Sequence, residues 1–252
     1  MLLADVHAHL DMMKDLDNVI NRAKKAGVKA IITNGVNPEA NRESLELAKK
    51  YPDIVKAAMG IYPPDALGRE TNQNNFFDFD KEIEFIKKNK DKIIAIGEMG
   101  LDYKNGRDKS LQKDIFTKLV NLAREIDKPL IVHSRSAEAD VVELLEAANY
   151  KKIVMHCFHG KSKLVDRIIA NDWYFSIPCN VVRTPQIQNI VQKAPLNRLL
   201  TETDAPFLSP FPGKQNEPAF MIESIKKIAE IKQLDAEETA NIIFMNYKKL
   251  FE

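Results

Sequence analysis

The feature that most constrains this chain is a repeated alternation. Eight short apolar, β-rich runs, at residues 2–6, 28–33, 54–60, 93–97, 130–132, 153–155, 173–177 and 199–203, are each followed by a stretch with helical periodicity. Leu16, Val19, Ile20 and Ala23, and later Leu111, Ile115, Leu119, Leu122 and Ile126, recur at the spacing that gathers one apolar stripe on a helix. Parallel strands need a crossover of roughly a dozen residues or more, usually a helix, so this alternation predicts parallel pairing. Eight repeats without a change of composition favour one closed (β/α)8 TIM-type barrel, a single domain over residues 1–252, against two open sheets. Asn37 before Pro38 and Thr184 before Pro185 read as helix N-caps with proline at the first helical position, and Asp235 with Glu238 has capping-box spacing. Two further helices, near 217–232 and 236–250, are expected to complete the outer layer.

Charge and composition narrow the partners. Lys plus Arg number 37 against 36 Asp plus Glu, so no global field draws in nucleic acid, and such a substrate has to be recognised locally. Cys157 and Cys179 fall outside any paired or metal-spaced motif, and the start MLLADVHAH lacks the basic segment and apolar run of a signal peptide. No run approaches the roughly 18 apolar residues of a membrane span. The expectation is a cytoplasmic protein with no membrane partner and, lacking a glycine-rich phosphate loop, no organic cofactor.

The chemistry lies where the runs end. Residues two apart on a strand share a face, so Asp5, His7 and His9 in DVHAH are expected on one face at the end of the first strand. An HxH pair alone leaves metal binding and accident evenly matched. The other run ends shift that balance: Glu98 in IGEMG, His133 in VHSR, His156 in MHCFHG and Asp204 in TETD all fall at C-terminal ends, where barrels of this kind build their active sites. Four of the five histidines in the chain stand at these positions. Imidazole and carboxylate ligands suit Zn, Mn or Mg among others, and six ligands exceed what one open tetrahedral ion takes. Two divalent ions fit better, with His7, His9 and Asp204 holding one, His133 and His156 the other, and Glu98 bridging.

In combination and order, DVHAH, AIGEMGLDY, PLIVHSR, HCFHG, LLTETDAP and NEP resemble the TatD family of metal-dependent hydrolases, within the amidohydrolase-like barrels, over essentially the whole chain. The resemblance implies a barrel, the same six metal ligands, and metal-dependent nuclease activity, often 3′ to 5′ exonuclease action on DNA. The chain departs from that family in reading GIYPP, with Tyr62, where many members have a histidine, and in carrying His159 where a small residue is usual.

Around the ligands, Asp5 and Glu202 are expected one layer deeper, orienting groups that bind metal. Asp204 is the candidate catalytic base for a water activated by two metals. Tyr62, Arg135 and His159 are candidate substrate contacts, Arg135 through its match to phosphate oxygens, with an internal salt bridge to Asp5 or Glu202 as its alternative. Phe207 and Phe211 could stack nucleobases or simply pack. Asp102 and Tyr103 read as loop packing, and the lysines of residues 87–92 as a solvated face. Two other activities stay open: metal-dependent ester or amide hydrolysis, such as deacylation of a D-aminoacyl-tRNA, and metal-dependent binding without catalysis.

Overall fold

The computed structural model describes residues 1–62 and 78–252, so Pro63 and Pro64 of the GIYPP loop lie outside the described residues. The strands β1 (Leu3–Ala8), β2 (Val28–Asn34), β3 (Val55–Met59), β4 (Ile93–Asp102), β5 (Leu130–Arg135), β6 (Ile153–His156), β7 (Tyr174–Ile177) and β8 (Leu199–Thr201) close in sequence order into a parallel barrel. This is the architecture expected from the alternation.

Some helices between the strands begin where a short polar side chain stops the preceding loop. After α1 (Leu16–Lys25), the Asn37 side chain accepts from the Ala40 N–H at the start of α2 (Pro38–Lys50). The Asp235 side chain likewise accepts from Glu237 and Glu238 at the last helix, α9 (Ala236–Phe251). Thr184 does not cap its helix. Its hydroxyl instead donates to the Asn180 carbonyl, 2.9 Å away in the preceding 3-10 turn, which offers a nearer partner than the helix.

One apolar cluster takes Ala4, Val6, Ala30, Ile32, Ala58, Ala95, Ile131, Val154, Tyr174 and Leu200, so every strand contributes. Only the inside of a closed barrel brings side chains of all eight strands together, which makes the barrel a packed core rather than a pore. Tyr247 of α9 joins this cluster with Phe244 and Phe251 against it, and so covers the end at which the strands begin. A second cluster seals the outer strand faces under the helices.

Two irregularities decide what faces inward at the other end. Between Asp5 and Ala8, β1 advances three residues while β2 advances two, from Ile31 to Thr33. Between Ile96 and Met99, β4 gains one residue on β5 in the same way. Each is a β-bulge, which re-aims the side chains after it. Ala4 and Val6 point into the barrel, and the extra residue then turns His7 inward as well. Ala95 and Gly97 are followed inward by Glu98 for the same reason. The shared face expected for Asp5, His7 and His9 is therefore corrected: Asp5 lies outside the bulge, where it accepts from Thr203 N–H (2.9 Å) and Thr203 hydroxyl (2.6 Å) and ties β1 to the end of β8.

Candidate metal centre

The strand ends bring His7, His9, Glu98 and Asp204 to one point. His7 Nε2 and His9 Nε2 are 3.3 Å apart. Glu98 Oε2 lies 3.4 Å from the first and 3.3 Å from the second, and Asp204 Oδ1 lies 3.6 and 3.5 Å from them. A tetrahedral ion with bonds of about 2.0–2.1 Å has ligand–ligand edges of about 3.3–3.4 Å, so His7, His9 and Asp204 stand close to one triangular face of such a shell, and His7, His9 and Glu98 close to another. His7, Glu98 and His156 form a second group of buried candidate ligands, with the His7 and His156 rings stacked at 3.8 Å. The other oxygen of Glu98, Oε1, meets His133 Nδ1 at 2.9 Å. Glu98 thus faces both groups.

Several contacts fix which ring nitrogen faces the centre. His9 Nδ1 reaches the Asn34 carbonyl at 3.2 Å, leaving Nε2 inward. His156 Nδ1 is 2.8 Å from Glu202 Oε2. Glu202 is further held by the Ser176 hydroxyl and by the Cys157 N–H at 3.0 Å. His133 Nε2 lies 3.4 Å from Asp102 Oδ2, and that same oxygen accepts from the Tyr62 hydroxyl at 2.5 Å and from Asn105 Nδ2 at 2.8 Å.

The charges follow from burial and proximity. Burial alone works to raise the Glu98 carboxyl, but hydrogen bonds from His133, His7 and His9 outweigh it and hold it well below the usual range. Asp204 is lowered on balance, with burial opposed by His9 and by the charges of the neighbouring imidazoles. Burial lowers His7 and His156. His9 is raised well above its ordinary value because Asp204 and Glu98 overcome its burial, and His133 is raised to about 9 by Asp102 and Glu98 against the same opposition. Burial pushes Glu202 well up and Asp5 up to about 7. Ionised carboxylates facing imidazole nitrogens in a buried site are a donor set suited to a divalent cation.

The remaining candidates take different places. Arg135 is exposed at the end of β5 and makes no ion pair among the described residues; the alternative salt bridge to Asp5 or Glu202 does not form, because those carboxylates are engaged with Thr203 and with His156 and Ser176. Tyr62 is half-buried, its ring edge-on to His133 at 5.2 Å. His159 is exposed, with Nδ1 2.7 Å from the Cys157 carbonyl. Phe207 is 52% exposed and 6.3 Å from the His9 ring, whereas Phe211 packs edge-on against Phe220. Sequence reasoning missed Asn34, Ser176 and the contact of Asp102 with His133. A backbone carbonyl leaves no sequence signal, and the partners of Asp102 and Glu202 are distant in the chain.

Comparison with known proteins identifies the family. A family model described as TatD related DNase matches residues 4–252. The chain is 35% identical to the uncharacterized metal-dependent hydrolase YabD of Bacillus subtilis, covering 99% of both chains. It is 32% identical to a protein named deoxyribonuclease TATDN3 of Homo sapiens, covering 99% of this chain and 94% of that one. Among solved structures, the TatD homologue YJJV of Escherichia coli superposes with a TM-score of 0.86 at 26% identity, over 99% of this chain and 97% of that chain. No helix of the described residues is long and apolar enough to cross a membrane.

Proposed function

Because the chain belongs to the TatD family of metal-dependent hydrolases, we propose that it cleaves phosphodiester bonds in DNA, as a deoxyribonuclease of the 3′ to 5′ exonuclease type, with two divalent ions of the Zn, Mn or Mg class. The observation that carries this reading is the set of 3.3–3.6 Å separations of His7 and His9 from each other, from Glu98 and from Asp204. His7, His9 and Asp204 would hold one ion, His133 and His156 the other, with Glu98 serving both through its two oxygens. When bound, the ions supply Lewis acidity, acidifying water toward neutrality and neutralising charge on phosphoryl oxygens.

The side chains supply the rest. Asp204 turns Oδ1 toward His7 and His9, and its side chain stays 16% exposed, so Oδ2 is the atom placed to take a proton from attacking water and return it to the leaving oxygen. Glu202 and the Asn34 carbonyl keep His156 and His9 in the orientation the centre needs. Arg135, exposed at the end of β5 and without an ion pair among the described residues, would grip a substrate phosphate, and His159 on the loop after β6 would add a second polar contact. The exposed ring of Phe207 offers a stacking face for a base next to His9. That a relative is named deoxyribonuclease and another a 3′-5′ ssDNA/RNA exonuclease supports the choice of nucleic acid over a neutral ester.

The test is elemental analysis of the metal-loaded protein together with turnover on single-stranded DNA, RNA, a simple phosphodiester and a carboxylic ester. The reading expects two ions and fastest cleavage of DNA from the 3′ end. Saturation at one ion, or turnover confined to the ester, refutes it.

A further inference from the structure

The environment of His133 carries an inference that rests on the two-ion reading above. Asp102 is fully buried, and its oxygens are surrounded by donors: Oδ1 accepts from the Lys104 N–H (2.9 Å) and the Asn105 N–H (2.8 Å), and Oδ2 from the Tyr62 hydroxyl and Asn105 Nδ2. A carboxylate receiving four donors stays ionised and acts only as an acceptor. Facing it at 3.4 Å is His133 Nε2, a buried nitrogen within ion-pair reach of Asp102 Oδ2 and with no formed hydrogen bond among the described residues. An ionised acceptor there favours the hydrogen on Nε2. The nitrogen that would give up its proton to a cation is then Nδ1, which lies 2.9 Å from Glu98 Oε1.

We propose that Asp102 and Tyr62 form a positioning pair: the Tyr62 hydroxyl anchors the Asp102 carboxylate, which keeps the His133 hydrogen on Nε2 and so presents Nδ1 to the ion shared with Glu98. Tyr62 then acts on the second metal position through Asp102, at one remove from substrate. The arrangement has the form of a carboxylate–histidine–metal triad, whose outer partner typically governs metal affinity by about 10- to 100-fold. The Tyr62 hydroxyl is one neutral donor to a charged acceptor, and its loss is expected to cost about threefold to tenfold.

The experiment titrates Zn²⁺ into the full chain against a chromophoric chelator, for the parent, Asp102→Asn and Tyr62→Phe, with thermal unfolding of each metal-free protein alongside. The expected result is two resolved affinities in the parent. Asp102→Asn lowers the weaker by about 10- to 100-fold and Tyr62→Phe by about threefold to tenfold, the tighter staying unchanged. A merely structural role in the loop of Lys104 and Asn105 would lower the unfolding temperature and weaken both ions together or neither. Tyr62→Phe leaves the Asp102 loop contacts in place, so it decides the matter if Asp102→Asn does not fold. Parent-like affinity for both ions in Tyr62→Phe and in folded Asp102→Asn overturns this proposal alone. A parent that saturates at one ion overturns the two-ion reading and this proposal with it.

Discussion

Consider Gly100→Ala. Gly100 pairs with His133 across the β4–β5 ladder and has φ of 153°, a region that favours glycine. A Cβ built there would stand 1.9 Å from the His133 carbonyl oxygen and 2.9 Å from its nitrogen. Real Cβ atoms essentially never come within 3.0 Å of such a neighbour, so relieving this backbone clash by parting the strands takes about 3.0 − 1.9 = 1.1 Å. Carried to the ring, that shift takes His133 Nδ1 and Glu98 Oε1 from 2.9 Å to about 4.0 Å. With bonds of about 2.0–2.2 Å, two ligands so far apart must lie nearly opposite each other across an ion, which a tetrahedral shell excludes. Misplacement by about 1 Å costs on the order of 10²-fold in rate. The assay is metal stoichiometry and DNA hydrolysis on protein shown to be folded by circular dichroism, with Gly213→Ala as control. Gly213 also has a positive φ, 74°, but nothing lies within 4 Å of its added Cβ, so it reports backbone strain without the clash. The expected Gly100 variant holds one ion and turns over at least about 10²-fold more slowly. A folded variant with two ions and turnover within a few-fold of the parent would refute the reasoning.

Asp204→Asn is expected to cut hydrolysis by about 10²- to 10⁴-fold while DNA binding persists, because the amide is a poor ligand and takes no proton; steady-state kinetics with a separate binding assay check this, and near-normal turnover of the metal-loaded variant contradicts it. The pH dependence follows from His133, whose folded value of about 9 stands above its ordinary 6.5. A raised histidine contributes stability fully present below pH 6.5 and lost as pH climbs through 9, so the metal-free protein should unfold more easily across that window. Zn²⁺ must displace the same proton, so affinity at the His133 position should rise by up to about tenfold per pH unit until pH 9 and then level off; thermal scans and titrations from pH 6 to 10 measure both, and a flat profile counts against the assignment.

The barrel was legible because each strand carries its own apolar run, and the candidate ligands stood out because chemistry-bearing residues end those runs. What was hidden lies in register. Simple alternation put Asp5 on the face of His7, but the extra residue in β1 separates them. In β4 the run at 93–97 understates a strand that continues to Asp102, since Gly97, Gly100 and two acids mask its β character. That continuation is what delivers Asp102 to His133, a contact that loop packing did not anticipate. Tyr62 meets Asp102 from 40 residues away, a separation over which a single sequence carries no pairing signal.

The seam between the first and last strands has a consequence in the order in which the molecule comes into being. β8 is only three residues long and meets β1 through Asp5 opposite Thr201 and the bridge of Ala8 to Ala205, while the Asp204 N–H donates to the His7 carbonyl at 2.8 Å. His7 and His9, on the first strand, are synthesised well before Asp204, which follows the last. Closing the seam and completing the first ligand group are therefore one event. A growing chain carries the two histidines long before it can bring Asp204 to them, so the candidate metal centre is complete only in the closed ring.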